Sequence, residues 1–132
     1  MSHPKIRLLD RAKETTNTTG SGTIALAGPV NGFVPLSGVG NGNSTYYTIE
    51  EGVTYEVGIG TYTSVGNTLS RDQVFSSSNV DNARLNLQGT GTVFITYPAD
   101  KAVVVSSGNL VGIGEVIDPE YPLHVSGTGS FD

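Results

Sequence analysis

An alternating pattern in residues 44–63 constrains the fold of this 132-residue chain more than any other feature. Beyond a turn, one face of an extended chain would carry Val53, Tyr55, Val57 and Ile59, and the other Thr54, Glu56, Gly58 and Gly60. A period of two is typical of a strand with one face in a core, so the apolar set is expected to face inward. Tyr47 and Ile49 supply the inward face of the partner strand. Residues 50–52 fit a short hairpin loop, with Gly52 where φ must be positive.

The remainder of residues 1–98 also has the texture of short strands. Turn signals recur roughly every 8–12 residues, and the chain contains 18 glycines. Strands are predicted near 11–18, at 23–27 with Ile24 and Leu26 inward, at 83–87 with Leu85 and Leu87 inward, and at 92–97 in a central position. No helix longer than a turn or two is expected. The pattern predicts an all-β domain over residues 1–98, an antiparallel β-sandwich or small barrel of seven or eight strands.

The texture changes after Pro98. Residues 99–132 are glycine-rich and contain short β segments, but too few apolar residues to form a core of their own. Such a segment must pack on the preceding domain or on copies of itself. The residues predicted to mediate self-association are Val103, Val105, Leu110, Val111, Ile113, Leu123, Val125 and Phe131.

Composition argues against several classes of function. Charged residues make up 14% of the chain and the net charge is −5, so the chain lacks the basic footprint of a nucleic-acid-binding protein. It has no basic amphipathic helix for a membrane surface and no apolar run of roughly 20 residues to span one. The absence of cysteine removes thiol nucleophiles and thiolate metal sites. The N-terminus lacks the apolar segment of a signal peptide.

Few residues suggest chemistry. Glycosidases use paired carboxylates, but Glu50 and Glu51 are expected in a turn and Glu56 on the outward face, where acidic side chains are simply solvated. The two histidines, His3 and His124, lie at opposite ends of the chain. Asp118 and Glu120 flank a proline and could bind calcium at a subunit junction, but they form no ladder of ligands. We therefore predict no catalytic residue, no metal site and no cofactor.

Two groups of motifs resemble phage tail proteins. Residues 10–62 are similar to the N-terminal domain of tail or virion structural proteins of marine and cyanobacterial phages, through Asp10-Arg11-Ala12-Lys13-Glu14-Thr15-Thr16, Thr18–Thr23, Leu26–Phe33, Thr45–Gly52 and Glu56–Tyr62. Thr68–Arg71 and Val93–Pro98 continue the likeness. Val111–Gly114 followed by Tyr121–Gly127 resembles an element common in trimeric phage tail fibres. The family form often has a Thr-Thr/Ser-Pro linker, which Glu115–Pro119 replaces here.

The resemblance implies a non-enzymatic virion structural protein, the N-terminal part of a homotrimeric phage tail fibre that anchors the fibre to the tail. Residues 99–132 would then be a trimerising connector toward a shaft, and the chain would be a fragment of a longer fibre. The expected partners are two further copies and other tail proteins, such as an adaptor, nozzle or baseplate component. The expected location is the virion, assembled in the host cytoplasm. The particle-docking residues are predicted to be Ile6, Arg7, Leu8 and Arg11.

Three alternatives stay open. A capsid decoration or cement protein would use the same β domain as a clasp. A carbohydrate-binding module would use exposed tyrosines, for which Tyr46 and Tyr62 are the candidates, although aromatic residues on strands more often pack across the sheet. A small hydrolase is the least favoured.

Overall fold

The chain is almost entirely β-structure. The computed structural model describes residues 5–105, 111–113 and 123–125, and its chain divides into two compact units, Met1–Tyr97 and Pro98–Asp132. The strands are β1 Lys13–Thr16, β2 Thr19–Gly20, β3 Ile24–Pro29, β4 Ser44–Glu51, β5 Thr54–Thr63, β6 Thr68–Leu69, β7 Gln73–Ser77, β8 Leu87–Gln88, β9 Gly91–Phe94, β10 Val103–Val105, β11 Val111–Ile113 and β12 Leu123–Val125. The helical elements of the described residues are short 3₁₀ turns at Leu36–Val39, Val80–Asn82 and Ala99–Lys101. The all-β prediction is confirmed.

Six strands of the first unit close into a small antiparallel barrel. Their order around the barrel is β4, β9, β1, β3, β6 and β5, and β5 pairs again with β4. Strand β7 continues the sheet by pairing with β5 beside β6. Full closure removes the exposed sheet edges that an open sheet of the same strands would leave. Of the two predicted architectures, a sandwich and a small barrel, the structure therefore shows the barrel.

The hairpin of β4 and β5 is the longest pairing in the barrel, but the predicted faces of β5 are wrong. Glu51 pairs with Thr54, so the loop contains only Gly52, with φ 62°, and Val53, which is 98% exposed. The three-residue loop expected from the sequence would have placed Ile49 opposite Val53. A register change by an odd number of residues moves every side chain to the opposite face. Glu56, Gly58 and Gly60 consequently point into the barrel.

Glycine is required where β5 crosses the barrel interior. Gly58 lies opposite Tyr47, and a Cβ added to Gly58 would overlap the carbonyl oxygen of Gln73 and the Tyr47 ring. A Cβ at Gly60 would overlap the carbonyl oxygen of Ser70. The interior of a small barrel holds few large side chains, so a bulky tyrosine needs a residue without a side chain across from it. The buried apolar residues are Ala12, Ile24, Leu26, Leu36, Val39, Tyr47, Ile49, Tyr62, Leu69, Leu85, Leu87 and Val93.

A buried ion pair occupies the barrel beside this core. Glu56 is 0% exposed and Arg71 4% exposed, and the Arg71 guanidinium donates two hydrogen bonds to the Glu56 carboxylate. The same carboxylate accepts from the Tyr47 hydroxyl at 2.6 Å and from the Leu85 backbone N–H at 2.8 Å. Burial by itself would raise the pKa of Glu56, but the hydrogen bonds from Arg71, Tyr47 and Leu85 hold it below its ordinary value. Glu56 is thus an internal anion.

Arg71 also binds two other segments to this pair. Its Nη1 donates to the carbonyl oxygens of Gly20 and Gly22, each at 3.3 Å, and its Nη2 donates to that of Leu85 at 2.7 Å. The strand predicted at 83–87 is wrong for most of its length, because only Leu87 belongs to a strand. Side chains, among them those of Arg71 and Glu56, form the hydrogen bonds to the backbone of this segment that a neighbouring strand would otherwise form. Leu85 and Leu87 are nevertheless buried, as predicted.

A second buried carboxylate, Glu14, lies on the opposite side of the barrel. The residue is 1% exposed, and β1 pairs with β3 on one side and with β9 on the other. The carboxylate accepts hydrogen bonds from the backbone N–H groups of Gly28 at 3.0 Å and Leu36 at 2.7 Å. Glu14 therefore ties the end of β3 and the 3₁₀ turn at Leu36–Val39 to β1.

The second unit contains a three-stranded sheet. Strand β10 pairs antiparallel with β11, and β11 pairs parallel with β12. Val103 is in register with Ile113 and Ile113 with Val125, while Val105 is in register with Val111 and Val111 with Leu123. Partners in register share a face, and so do residues two positions apart in a strand. These six positions consequently lie on one face of the sheet, opposite Val104, Gly112 and His124.

Candidate docking surface

The segment Lys5–Leu9, which we call the arm, is attached to the start of β4. The backbone N–H of Ser44 donates to the Lys5 carbonyl at 2.7 Å, and the N–H of Arg7 donates to the Ser44 carbonyl at 2.9 Å. These two bonds form a parallel bridge between Ile6 and Ser44. The Lys5 N–H also donates to the side-chain oxygen of Asn43 at 3.2 Å. The arm is thereby held in an extended conformation on the barrel.

The arm exposes apolar and basic side chains together. Ile6 is 54% exposed, Leu8 is 47% exposed, and Arg7 between them is also exposed. Next to Leu8 is a cleft of about 180 Å³, which is lined by Leu8, Leu9, Asp10, Ile95, Thr96 and Tyr97. The structure therefore brings together three of the four predicted docking residues, Ile6, Arg7 and Leu8, on one short segment.

Arg11, the fourth predicted docking residue, is engaged with its own domain. Its backbone has φ 57°, its guanidinium carbon lies 4.1 Å from the centre of the Phe33 ring, and its Nη2 donates to the Gly32 carbonyl at 3.2 Å. The Lys13 ammonium lies 5.3 Å from the same ring and 5.4 Å from that of Phe94. These are cation–π distances. Arg11 thus supports the loop beside β1 while remaining exposed.

An aromatic cluster on the outside of the barrel adjoins the cleft, and Tyr46 is its only member that was a candidate from the sequence. Tyr46 and Tyr97 stack with their ring centres 6.2 Å apart, and Phe75 meets Tyr46 edge to face at 6.1 Å. Tyr97 is 54% exposed. The signal that could have revealed the cluster is the outward register of Tyr46, which follows once Tyr47 is assigned to the interior.

The other tyrosine considered for a sugar platform, Tyr62, is not exposed. It is 3% exposed and its hydroxyl donates to the side-chain oxygen of Asn67 at 2.6 Å. Burial, together with the nearby Glu14 carboxylate, raises the pKa of Tyr62 above its ordinary value. The prediction that Tyr62 belongs to an exposed platform is wrong.

The carboxylates that suggested paired-acid chemistry are separated by the hairpin geometry. Glu56 is enclosed with Arg71, contrary to the expectation of an outward-facing side chain, whereas Glu50 is exposed. The Glu51 carboxylate accepts hydrogen bonds from the backbone N–H groups of Gln88 at 2.8 and 3.0 Å and of Thr90 at 3.0 Å. Glu51 therefore fastens the hairpin tip to the end of β8 and to the turn before β9.

The predicted self-association residues of the second unit are partly described. Six of the eight occupy the single face of the β10–β12 sheet defined above, and Val103 is 50% exposed. Leu110 and Phe131 lie outside the described residues, as do His3, Asp118 and Glu120. His124 is in register with Gly112. Within the described residues, no group of three or more His, Asp or Glu side chains is arranged to hold a metal ion.

No family model, curated protein or solved structure matches the chain. The described part of the chain contains no helix that is long and apolar enough to cross a membrane.

Proposed function

We propose that the chain is a non-enzymatic virion structural protein, the N-terminal part of a homotrimeric phage tail fibre, in which the barrel anchors the fibre to the tail and the C-terminal unit joins three copies. The partners are two further copies and a tail component such as an adaptor, nozzle or baseplate protein. The fibre would be assembled in the host cytoplasm and reside in the virion. The motif resemblance supports this proposal, and the arm offers a place for attachment.

The observation that carries the self-association part is the register of β10, β11 and β12. It aligns six aliphatic residues on one face, while the other face has one glycine, one histidine and one valine. Three short strands cannot bury such a face among themselves, because a sheet needs a second layer to form a core. Three copies related by a rotation axis can supply that layer to one another.

The test compares two substitutions that lie on opposite faces of the β10–β12 sheet. The full chain should elute at three times the 13.7 kDa of one chain in size-exclusion chromatography with light scattering. Ile113→Asp would place a charge on the aliphatic face and should dissociate the trimer, whereas Val104→Asp lies on the opposite face and should leave it intact. A monomeric wild-type chain, or equal behaviour of the two variants, would reject the trimeric fibre.

A carbohydrate-binding module is the second candidate, and the exposed stack of Tyr97 on Tyr46 favours it. Aromatic rings on a rigid sheet can pack against the apolar faces of sugars. Binding on a glycan array that Tyr97→Ala abolishes would support this function. Tyr55, which is 40% exposed on the outside of β5 and whose ring pairs with neither ring of that stack, provides the matched control Tyr55→Ala.

A further inference from the structure

The basic residues of the chain are concentrated in and beside the arm. Residues 5–13 hold four of the seven lysines and arginines, namely Lys5, Arg7, Arg11 and Lys13, but only one of the twelve acidic residues, Asp10. The net charge of this segment is therefore +3 in a chain of net charge −5. A local charge opposite to that of the whole protein favours a partner of the opposite sign at that place.

The remaining basic side chains have partners among the described residues, although Arg84 and Lys101 are exposed. Arg71 is buried against Glu56, Arg84 donates to the carbonyl oxygen of Arg71, and Lys101 lies 3.6 Å from Asp100. By contrast, the exposed side chains of Lys5 and Arg7 have neither a hydrogen bond nor an acidic side chain within ion-pair distance among the described residues. The arm therefore presents positive charge that the barrel does not neutralise.

The backbone of the arm also presents a hydrogen-bonding edge. The Lys5 carbonyl and the Arg7 N–H are bonded to Ser44, and alternate residues of an extended strand direct these groups to opposite sides. The N–H and carbonyl of Ile6 accordingly point away from β4. Neither they nor those of Leu8 hydrogen-bond to any described residue. An edge of this kind can accept an added strand.

We propose that the arm is a docking edge for an acidic, extended segment of a partner protein. The segment adds as a strand along Ile6–Leu8, sets carboxylates against Lys5 and Arg7, and inserts an apolar side chain into the cleft beside Leu8 and Tyr97. In strand addition the main-chain hydrogen bonds supply affinity, and the side-chain pockets supply specificity. The inference deepens the proposed function and rests on it, since it gives the chemistry of the tail component that the barrel would bind.

The experiment selects binders of the 132-residue chain from a library of random nine-residue peptides. The expected peptides alternate acidic and apolar residues. Arg7→Glu should weaken their binding about tenfold or more, because like charges meet at the docking edge. Ile6→Pro removes the outward N–H donor and should weaken binding more than Ile6→Ala, which keeps it. The control Lys101→Glu, an equal charge reversal in the C-terminal unit, should leave binding unchanged.

Other outcomes overturn the proposal. They are a failure to enrich peptides, enrichment of peptides without carboxylates, or equal binding to the wild type and Arg7→Glu. An oligomer that Arg7→Glu dissociates would assign the arm to a second copy of the chain and so reject the acidic partner.

A trimeric wild type that selects no acidic peptide rejects the docking edge alone. A monomeric wild type that selects such peptides rejects the trimeric fibre alone.

Discussion

Replacing Arg71 by methionine should leave the Glu56 carboxylate without its cation inside the barrel. Both side chains are almost completely buried, and Arg71 supplies two of the four hydrogen bonds that the carboxylate accepts. Methionine retains much of the length and apolar volume of arginine, so the substitution tests charge and hydrogen bonding more than packing. The variant also removes the donors to the carbonyl oxygens of Gly20, Gly22 and Leu85.

The expected cost is large relative to the stability of a small domain. Removal of one partner of a buried ion pair costs about 3–5 kcal/mol, because the other charge stays buried without compensation. The total free energy of unfolding of natural domains is about 5–15 kcal/mol. Arg71→Met should therefore lower the urea midpoint substantially.

The measurement is urea unfolding followed by circular dichroism at neutral pH, with Arg7→Met as the matched control. Arg7 is exposed in the arm and makes no side-chain hydrogen bond within the described residues, so its replacement should change the free energy of unfolding by about 0.5 kcal/mol or less. In the double variant Glu56→Gln/Arg71→Met no charge is left, and it should recover at least about 1 kcal/mol relative to Arg71→Met. A cost below about 1 kcal/mol for Arg71→Met, or simple additivity in the double variant, would refute the reasoning.

Three further predictions concern the same interior. Gly60→Ala should destabilise the protein by about 1–3 kcal/mol through overlap with the Ser70 carbonyl, while Gly22→Ala, whose added Cβ has no atom within 4 Å, should be nearly neutral in the same urea assay. Because the pKa of Glu56 is lowered on folding, its contribution to stability is present above pH 4.5 and is lost as the pH falls through the lowered value. Glu56→Gln should flatten this acid dependence, and an unchanged slope would contradict the assignment. Burial and the Glu56 hydrogen bond raise the pKa of Tyr47, so stability should fall as the pH rises above 10.0, less steeply in Tyr47→Phe.

The fold class could be predicted from the sequence because it depends on local periodicity and turn residues. The inward faces of β3 and β4 were identified correctly by the alternation at Ile24 and Leu26 and at Tyr47 and Ile49. The faces of β5 could not be read in the same way, because its outward row is the more apolar one. Val57 and Ile59 lie outside and Glu56 lies inside, which reverses the usual pattern.

One signal for the correct register was present in the sequence. With a two-residue loop, Tyr47 faces Gly58 and Thr45 faces Gly60, so two glycines meet the inward row of β4. Glycine on the outer face of a strand only weakens it, whereas glycine inside a narrow barrel makes room for a large side chain. A two-residue loop and the positions of the two glycines together would have predicted the correct faces of β5, against the alternation of its apolar residues.

The arrangement of the candidate site depended on contacts between residues distant in sequence. A bridge between Ile6 and Ser44 attaches the arm to the barrel, and the aromatic stack joins Tyr46 with Tyr97. Local patterns carry no information about such pairs. The charge contrast of residues 5–13 is the part that composition alone could have revealed.

The polar groups of the barrel interior serve the scaffold, and this directs attention to its outside. Every buried side-chain nitrogen and oxygen of the described residues has a hydrogen-bond partner. The hydrogen-bonding groups of Glu14, Glu56 and Arg71 are bonded to other segments of the barrel. A ligand could bind these side chains only by replacing hydrogen bonds that stabilise the barrel. The arm differs because the barrel leaves its charges, apolar side chains and outward backbone groups unused. Substitutions in the arm should therefore weaken partner binding with little effect on the free energy of unfolding. Substitutions of Glu56 or Arg71 should lower the free energy of unfolding without removing a group that contacts the partner.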